Sequence, residues 1–479
     1  MPEALHIPAL RFGSPYRSLD EIRLRESDSG RGPVTVSRVN FGLIRRDLRR
    51  MRTARAALDE IPAGELIARI TRSGELFMEA SLPCGTDGWE HGPRDYLEAL
   101  SSTTGLPISL CQSNMGKLYA ACCQMASVVS GLTRGLGPEL FDDCLSVRNG
   151  SEVSFFPIAD VLGVVLPSNS PGVNSLWLPA LAMKIPVALK PGREDPWTPY
   201  RIIQALIAAG IPRDAFGFYP AGHDGGETIL TECPRALVFG GDQTVARYAG
   251  SPHIQVHGAG RSKVLIGDDC VGDREDYLDV LVASVAGNSG RSCINASAIL
   301  TPSGGDALAA DLARRLSGIE PLPLNDESAS LAGFADPAVA EGIDALIERG
   351  LAIGGARDVS AEFRRGPRLQ KVLGGSFLLP TVARVQDMDH PLATSEFLFP
   401  FVSVVEMPCE SMLSRIGPTL VVSAITEDPR WIRELLRCGD IDRLNIGKIA
   451  TNEVQWDQPH EGNLFEFLYR RRAVQRDHA

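Results

Sequence analysis

Ten cysteines are spread along the 479 residues, and one of them sits in a setting suited to nucleophilic chemistry. Cys293 lies in the run Gly287-Asn288-Ser289-Gly290-Arg291-Ser292-Cys293-Ile294-Asn295-Ala296-Ser297, where small residues leave a carbonyl carbon room to approach the sulfur. It is flanked by both a glycine-bearing turn and a basic side chain, Arg291, and a nearby cation favours the reactive thiolate. Most single cysteines are only small buried hydrophobes, so the reading rests on that context. A second set, Ser168-Asn169, Lys190 and Gly240-Gly241, follows short β-rich apolar runs. In open parallel sheets ligands bind beyond the carboxyl ends of the strands, which places these residues on a working edge. A lone lysine at a strand end is more often simply solvated, and Gly241 alone could be only a turn. No Gly-x-Gly-x-x-Gly follows any of these runs, so a dinucleotide bound there is not held by the usual glycine fingerprint.

These positions need a framework, and the rhythm between Asp160 and Gly267 supplies one. Strands are predicted at Val161–Pro167, Pro186–Lys190, Ala215–Tyr219, Ala236–Phe239 and Lys263–Ile266, alternating with helical text as in a parallel α/β sheet. Between the second and third, Thr198-Pro199 reads as N-cap and first-turn proline. Ile202, Ile203, Leu206 and Ile207 form a buried stripe there, and Gly210 closes the helix. A second α/β stretch runs to about Ile449, with helical text at Asp273–Ala286, Asp306–Ser317 and Asp336–Arg349 and strand text at Phe377–Val382, Phe401–Val405 and Leu420–Ala424. Upstream, Ile44, Leu48, Met51 and Leu58 mark one helical stripe, with Arg45, Arg46, Arg49, Arg50 and Arg52 as its solvated face. Met1 to about Gly32 reads as a surface arm and Ala450–Ala479 as an irregular tail ending in Arg470-Arg471-Arg472.

Composition narrows the function classes. Hydrophobic residues at 44% and charged residues at 22% match a folding, multidomain chain rather than a disordered one. Acidic residues outnumber basic ones, 59 to 48, and the formal charge of −11 disfavours nucleic acid as a partner. The longest apolar runs fall short of the roughly 20 residues that cross a bilayer, and Met1–Ser14 lacks a basic start with a continuous apolar stretch. A cytoplasmic location with no membrane partner and reduced thiols is expected. No metal site is expected either, since Cys122-Cys123 lacks CxxC spacing.

From about Val161 to Pro400 the chain resembles the aldehyde dehydrogenase superfamily. Ser168-Asn169 follows the first strand as the family's Trp-Asn does, Lys190-Pro191 matches its Lys-Pro, and Phe239-Gly240-Gly241-Asp242 stands where Phe-Thr-Gly-Ser is expected. Gly258-Ala259-Gly260 sits near the domain junction, Cys293 holds the nucleophile position, and Glu396-Phe397-Leu398-Phe399-Pro400 resembles Glu-x-Phe-Gly-Pro. The resemblance implies an α/β fold with a Rossmann-type cofactor domain, a second α/β catalytic domain and a small β oligomerisation element. It implies that the Cys293 thiolate attacks a carbonyl and that the Asn169 amide and the Cys293 backbone N–H hold the oxyanion. Nicotinamide then exchanges hydride with the carbon on sulfur. Lys190 and Glu396 would hold ribose hydroxyls, Ser168 would stand beside the cofactor, and Gly225 and Gly241 would admit the pyrophosphate.

Two departures carry information. Where the family has a glutamate that activates water, this chain has His257, in Val256-His257-Gly258-Ala259-Gly260-Arg261. Loss of that base with retention of the thiol resembles the acylating branch, in which coenzyme A exchanges with the acyl group and acyl thioesters and aldehydes interconvert. The Lys190–Pro196 stretch and the Gly240-Gly241-Asp242 turn also look locally like fatty-acyl reductases of luminescence operons. His257 itself is open to three roles: binding or structure, proton transfer, or none in the reaction. Three readings of function therefore stand. The first is an acylating NAD(P)-dependent enzyme with coenzyme A as co-substrate. The second is a hydrolytic aldehyde dehydrogenase with His257 or Glu396 as base, and the third a catalytically silent assembly member. The second departure is Arg193, which replaces the glutamate that commonly binds the adenosine ribose. A guanidinium pairs with a 2′-phosphate, favouring NADP(H) over NAD(H), unless the adjacent Glu194 turns inward.

The expected organisation is an N-terminal arm and helices over 1–144, an oligomerisation hairpin over 145–158, a dinucleotide-binding domain over 159–257, a catalytic domain over 258–449 and a tail over 450–479 packing at a subunit interface. Arg148-Asn149-Gly150 would be the hairpin turn. Expected partners are a small aldehyde or an acyl thioester, including one carried on an acyl carrier protein, and further copies of the chain in a homodimer or homotetramer.

Overall fold

The computed structural model describes residues 5–24, 34–85 and 88–475. The chain divides into two compact units. The first comprises Met1–Thr103, Cys111–Gly258 and Gln455–Ala479, and the second Thr104–Leu110 and Ala259–Val454. Both are α/β, as expected.

The first unit is built on a seven-stranded sheet in the order Ile254–His257, Arg235–Phe239, Leu162–Val165, Val187–Lys190, Phe216–Phe218, Ala9–Arg11, Ser14–Tyr16. The first five strands are mutually parallel, and Ala9–Arg11 joins antiparallel through Leu10 opposite Phe218. Because the five run the same way, His257, Gly240-Gly241, Ser168-Asn169 and Lys190 all leave the sheet at its carboxyl edge. The helix Phe41–Met51 lays Ile44, Leu48 and Met51 on Val161, Ala188 and Tyr219. Full burial of such side chains stabilises by about 1.5–3 kcal/mol each. The arginines of that helix face solvent, and its one buried acid, Asp47, takes a two-pronged bond from Arg11 at 2.6 and 2.7 Å.

Several expectations are corrected here. The N-terminal arm lies outside the described residues at 1–4 and 25–32, but its remainder forms strands, because Ile7, Ala9 and Leu10 are fully buried. Lys263–Ile266 belongs to the second unit's sheet, and the last parallel strand of the first sheet is Ile254–His257, whose four residues are too few to announce themselves. The helix after Lys190 runs Trp197–Ala208, and the carboxylate of Asp195, not Thr198, provides the cap, accepting from Thr198 N at 2.9 Å. The tail is not irregular: it holds the helix Leu464–Leu468 and the strand Tyr469–Arg472, which pairs antiparallel with Ser151–Pro157. Ser151–Pro157 forms a hairpin with Leu145–Arg148, turning on Asn149 and Gly150 at φ 51° and 79°.

The second unit carries a seven-stranded sheet in the order Ala356–Asp358, Thr381–Val385, Phe401–Glu406, Ala296–Thr301, Ser262–Ile266, Thr419–Ile425, Ile441–Ile446, parallel except at Ala356–Asp358. Both faces are covered, as a parallel sheet requires. Val264 and Ile266 pack under Glu275–Ala286 and Gly305–Leu316, while Leu265 points to the face covered by Pro337–Ala352. The strand expected at Phe377–Val382 is broken into Gly375–Leu378 and Thr381–Val385 by Pro380. Among the described residues no helix is long and apolar enough to cross a membrane.

Candidate active site

In the second unit, Cys293 ends a turn whose geometry is set by its neighbours. Asn288, Ser289 and Gly290 adopt φ of 50°, 56° and 66°, three successive left-handed residues between the helix and the Ala296–Thr301 strand. Side chains offset that strain. The Asn295 amide donates to Ser284 O and Gly287 O at 3.0 and 2.9 Å while its oxygen accepts from Ser292 N at 2.9 Å. Asn288 Nδ2 reaches Ser292 Oγ at 3.0 Å, and Ser289 Oγ accepts from Ala332 N at 2.8 Å. A Cβ on Gly290 would overlap the Phe399 carbonyl and the Pro400 nitrogen, and one on Gly260 would overlap the Cys293 carbonyl. The Cys293 carbonyl is further held by Ser262 Oγ at 2.9 Å. The thiol is half-buried beside Ile294, Leu420, Val421 and Val454.

Arg291 has a structural task beside Cys293. Its buried guanidinium donates to Thr104 O and Gly333 O at 2.9 and 2.5 Å and lies over Phe334, so it braces the turn. Arg443, on the strand Ile441–Ile446, interacts electrostatically with Cys293. Burial lowers the Arg443 pKa and the Cys293 charge works against that shift. Sequence reasoning missed Arg443 because it lies far along the chain, in a segment not read as a strand.

Glu396, in the same unit, accepts from Arg261 N at 2.6 Å. Burial pushes its carboxyl up to about 7, opposed by the Arg261 N–H and the Arg261 and Lys263 charges, so near neutral pH it exists in both protonation states. The bend at Arg261, φ 44°, is fixed by Arg261 Nε on Thr394 O and by the buried Lys263 ammonium on Arg261 O and Thr419 Oγ1 at 2.7 and 2.9 Å. Burial and the Arg261 charge bring Lys263 down to about 8.

In the first unit the carboxyl edge gathers the other candidates. Lys190 is half-buried, with Pro191 O at 3.3 Å; burial lowers its pKa and the Glu194 carboxylate opposes this. Glu194 thus acts on Lys190, whereas Arg193 is exposed at the rim. Ser168 Oγ accepts from Glu194 N at 3.1 Å and fixes the loop after Lys190. Gly225 is buried, and a Cβ there would overlap Ala221 and crowd Ile44, so packing explains its smallness rather than a ligand. Gly241 differs, since a Cβ there meets nothing within 4 Å. Asn169 follows on the same edge, immediately before the 3₁₀ turn Pro171–Leu176.

His257 ends its strand at this edge. Its backbone carbonyl accepts from Gly240 N at 3.1 Å and its ring stacks on Phe239 at 4.6 Å between centroids. The side chain is only 7% exposed. Nδ1 lies 2.5 Å from Glu461 Oε2, and Nε2 is buried with no hydrogen-bond partner among the described residues. Sequence reasoning did not find Glu461; nothing in His460-Glu461-Gly462-Asn463 signals it.

Residues 95–415 match the profile described as the aldehyde dehydrogenase family. The chain belongs to the aldehyde dehydrogenase family. It is 28% identical to a phenylacetaldehyde dehydrogenase of Pseudomonas fluorescens over 35% of this chain and 34% of that one. It is 25% identical to a betaine aldehyde dehydrogenase of Cereibacter sphaeroides over 52% of each. With an N-succinylglutamate 5-semialdehyde dehydrogenase of Vibrio cholerae it shares 25% identity over 62% of this chain and 58% of that one. The chain thus spans about a third to three fifths of the length of these curated relatives. Two solved aldehyde dehydrogenase-like folds superpose over nearly the whole chain. An indole-3-acetaldehyde dehydrogenase complexed with NAD+ has TM-score 0.79 and 17% identity, covering 99% of this chain and 97% of that one. An NADP-dependent enzyme of E. coli has TM-score 0.77 and 17% identity, covering 98% of both. At such identity the likeness is one of fold.

Proposed function

We propose that this protein is an NAD(P)-dependent aldehyde dehydrogenase of the hydrolytic type, oxidising an aldehyde to a carboxylic acid with Cys293 as nucleophile and His257 as base. The observation that carries the proposal is the buried, unpartnered Nε2 of His257, at the position where the family has its water-activating glutamate. An imidazole that donates from Nδ1 to a carboxylate leaves a lone pair on Nε2. The acylating reading drew its force from the absence of a base at this position. With an imidazole available to take water's proton, that absence no longer calls for coenzyme A. The curated relatives, each named for a dehydrogenase of a free aldehyde, support the same choice.

In this reading the Cys293 thiolate adds to the aldehyde carbon, and the oxygen's developing charge is received by the Cys293 backbone N–H and the Asn169 amide. NAD(P)+, when bound, accepts hydride from the carbon attached to sulfur. His257 Nε2 then takes a proton from water as its oxygen bonds to the thioacyl carbon; the C–S bond breaks and the thiolate is regenerated. Lys190 and the open glycine at 241 fit a ribose–diphosphate on the carboxyl edge of the first unit, with Glu396 on a further ribose hydroxyl. Ser168 and Gly225 are not needed as cofactor contacts. Exposed Arg193 supports NADP(H), whereas the Glu194 charge acting on Lys190 supports NAD(H).

The test is cofactor reduction on a panel of aliphatic and aromatic aldehydes, with NAD+ and NADP+, each with and without coenzyme A. Turnover to the free acid without coenzyme A is expected. Strict dependence on coenzyme A with acyl-CoA as product would overturn the proposal and restore the acylating reading.

A further inference from the structure

We infer that Glu461, on the C-terminal segment, is the positioning residue that holds His257 in the tautomer with a bare Nε2. This rests on the reading of His257 as base. The pair lies within the first unit although its members are 204 residues apart. Three features show that the Glu461 turn is built for its place. Its carbonyl accepts from Gln255 Nε2 at 2.5 Å, so the strand that carries His257 also grips the residue that pairs with it. Gly462 follows at φ 67°, and a Cβ there would come within 2.8 Å of Gln255 Nε2. Asn463 then caps Leu464–Leu468 through Phe465 N and Glu466 N while its amide donates to Leu132 O at 2.9 Å. Beyond that helix the tail is locked by pairing with Ser154–Pro157 and by Tyr469 Oη on Met183 O at 2.7 Å.

The chemistry follows from the donor set. A carboxylate on Nδ1 fixes the proton there and orients the ring, which is otherwise held only by the Phe239 stack. When Nε2 takes water's proton, Nδ1 stays 2.5 Å from the Glu461 carboxylate oxygen, so the ring keeps its orientation through the transfer. The consequence is specific: acyl transfer onto Cys293 does not need the pair, whereas hydrolysis of the acyl-thiol does.

p-Nitrophenyl acetate separates these steps with no nicotinamide present. Thiolate attack forms the C–S bond and expels p-nitrophenolate, seen as a burst; water attack, with its proton passing to His257, releases acetate and the thiolate in the steady state. In Glu461→Gln the burst amplitude is expected unchanged and the steady-state rate reduced about 10–100-fold, with a larger loss in His257→Ala. A deacylation rate at the wild-type level in Glu461→Gln, with loss in His257→Ala, overturns the inference and leaves His257 as base. Unchanged deacylation in His257→Ala overturns both. A burst that falls in step with the steady state in Glu461→Gln means a merely structural residue and also overturns it. Should the variants fold poorly, 15N NMR of histidine-labelled wild-type protein decides: His257 protonated on Nδ1 is expected, and protonation on Nε2 overturns the inference.

Discussion

The turn that carries Cys293 and the strand edge that carries His257 are held by different means. Around Cys293, polar side chains brace the turn: Ser289, Arg291 and Asn295 bond main-chain groups, Asn288 bonds the Ser292 hydroxyl, and Gly290 supplies the close approach to Phe399-Pro400. At the strand edge, sheet register does the placing, and the decisive partner comes from 204 residues away. One region is a short turn tied by many bonds to several segments; the other hangs on one distant carboxylate and leaves one buried nitrogen without a partner among the described residues. A nucleophile needs fixed geometry, whereas a base needs an unengaged lone pair, and the two regions divide along that line.

Breaking the first region should have the largest effect. Gly290→Ala places a Cβ against the Phe399–Pro400 backbone at a residue with φ 66°. Strain and overlap together are expected to cost about 3 kcal/mol, and displacement of the thiol to lower turnover about 100-fold. Thermal unfolding and aldehyde-dependent cofactor reduction read the two effects; wild-type behaviour in both would show that the turn is not rigid.

The same contrast explains what the sequence could tell. The Cys293 turn, Lys190 at a strand end and the alternating α/β rhythm are local patterns, and each was visible from residue types and spacing. Ile254–His257 was not, because four residues with Gln255 in the middle give no periodic signal. Glu461 and Arg443 were invisible for a stronger reason: each reaches its partner only through sheet pairing or a folded tail, and pairing across such a separation leaves no mark in either segment. Arg291 was legible as a basic neighbour of Cys293, but its bonds to Thr104 and Gly333, 187 and 42 residues away, were not.

The strand edge can be probed through Asp195, the buried cap of the helix after Lys190. Burial pushes its carboxyl up to about 6 against an ordinary 3.8. Below pH 3.8 the group is protonated in both folded and unfolded chains and contributes no pH dependence. As pH rises from about 4 to about 6 the unfolded chain releases its proton first, so this group's contribution to stability falls, and above 6 the loss is complete. Asp195→Asn keeps an acceptor for Thr198 N and removes that titration. It is expected to be more stable than the parent at pH 8 by roughly 1–3 kcal/mol and nearly equal at pH 4, by denaturant unfolding at both values. Greater stability of the parent at pH 8 would mean that the ionised carboxylate is worth more as a cap than it costs to bury.

The smallest effect sharpens the account of the thiol. If Arg443, not Arg291, is the cation that favours the Cys293 thiolate, neutralising it should leave the turn's framework in place, because that framework runs through Asn288, Ser289, Arg291 and Asn295. Arg443→Gln is therefore expected to slow alkylation of Cys293 by iodoacetamide at pH 7 about 3–10-fold, the loss of thiolate that follows removal of one neighbouring charge. Melting temperature should move little, since the guanidinium donates to Glu453 O at 3.2 Å in an exposed setting. Arg291→Gln should do the reverse. It removes two buried bonds to main-chain carbonyls, so it is expected to lower the melting temperature while changing thiol reactivity mainly through the loosened turn. Alkylation rates that fall at position 291 with no loss of stability, and not at 443, would reverse the assignment and return to Arg291 the role that sequence proximity first suggested.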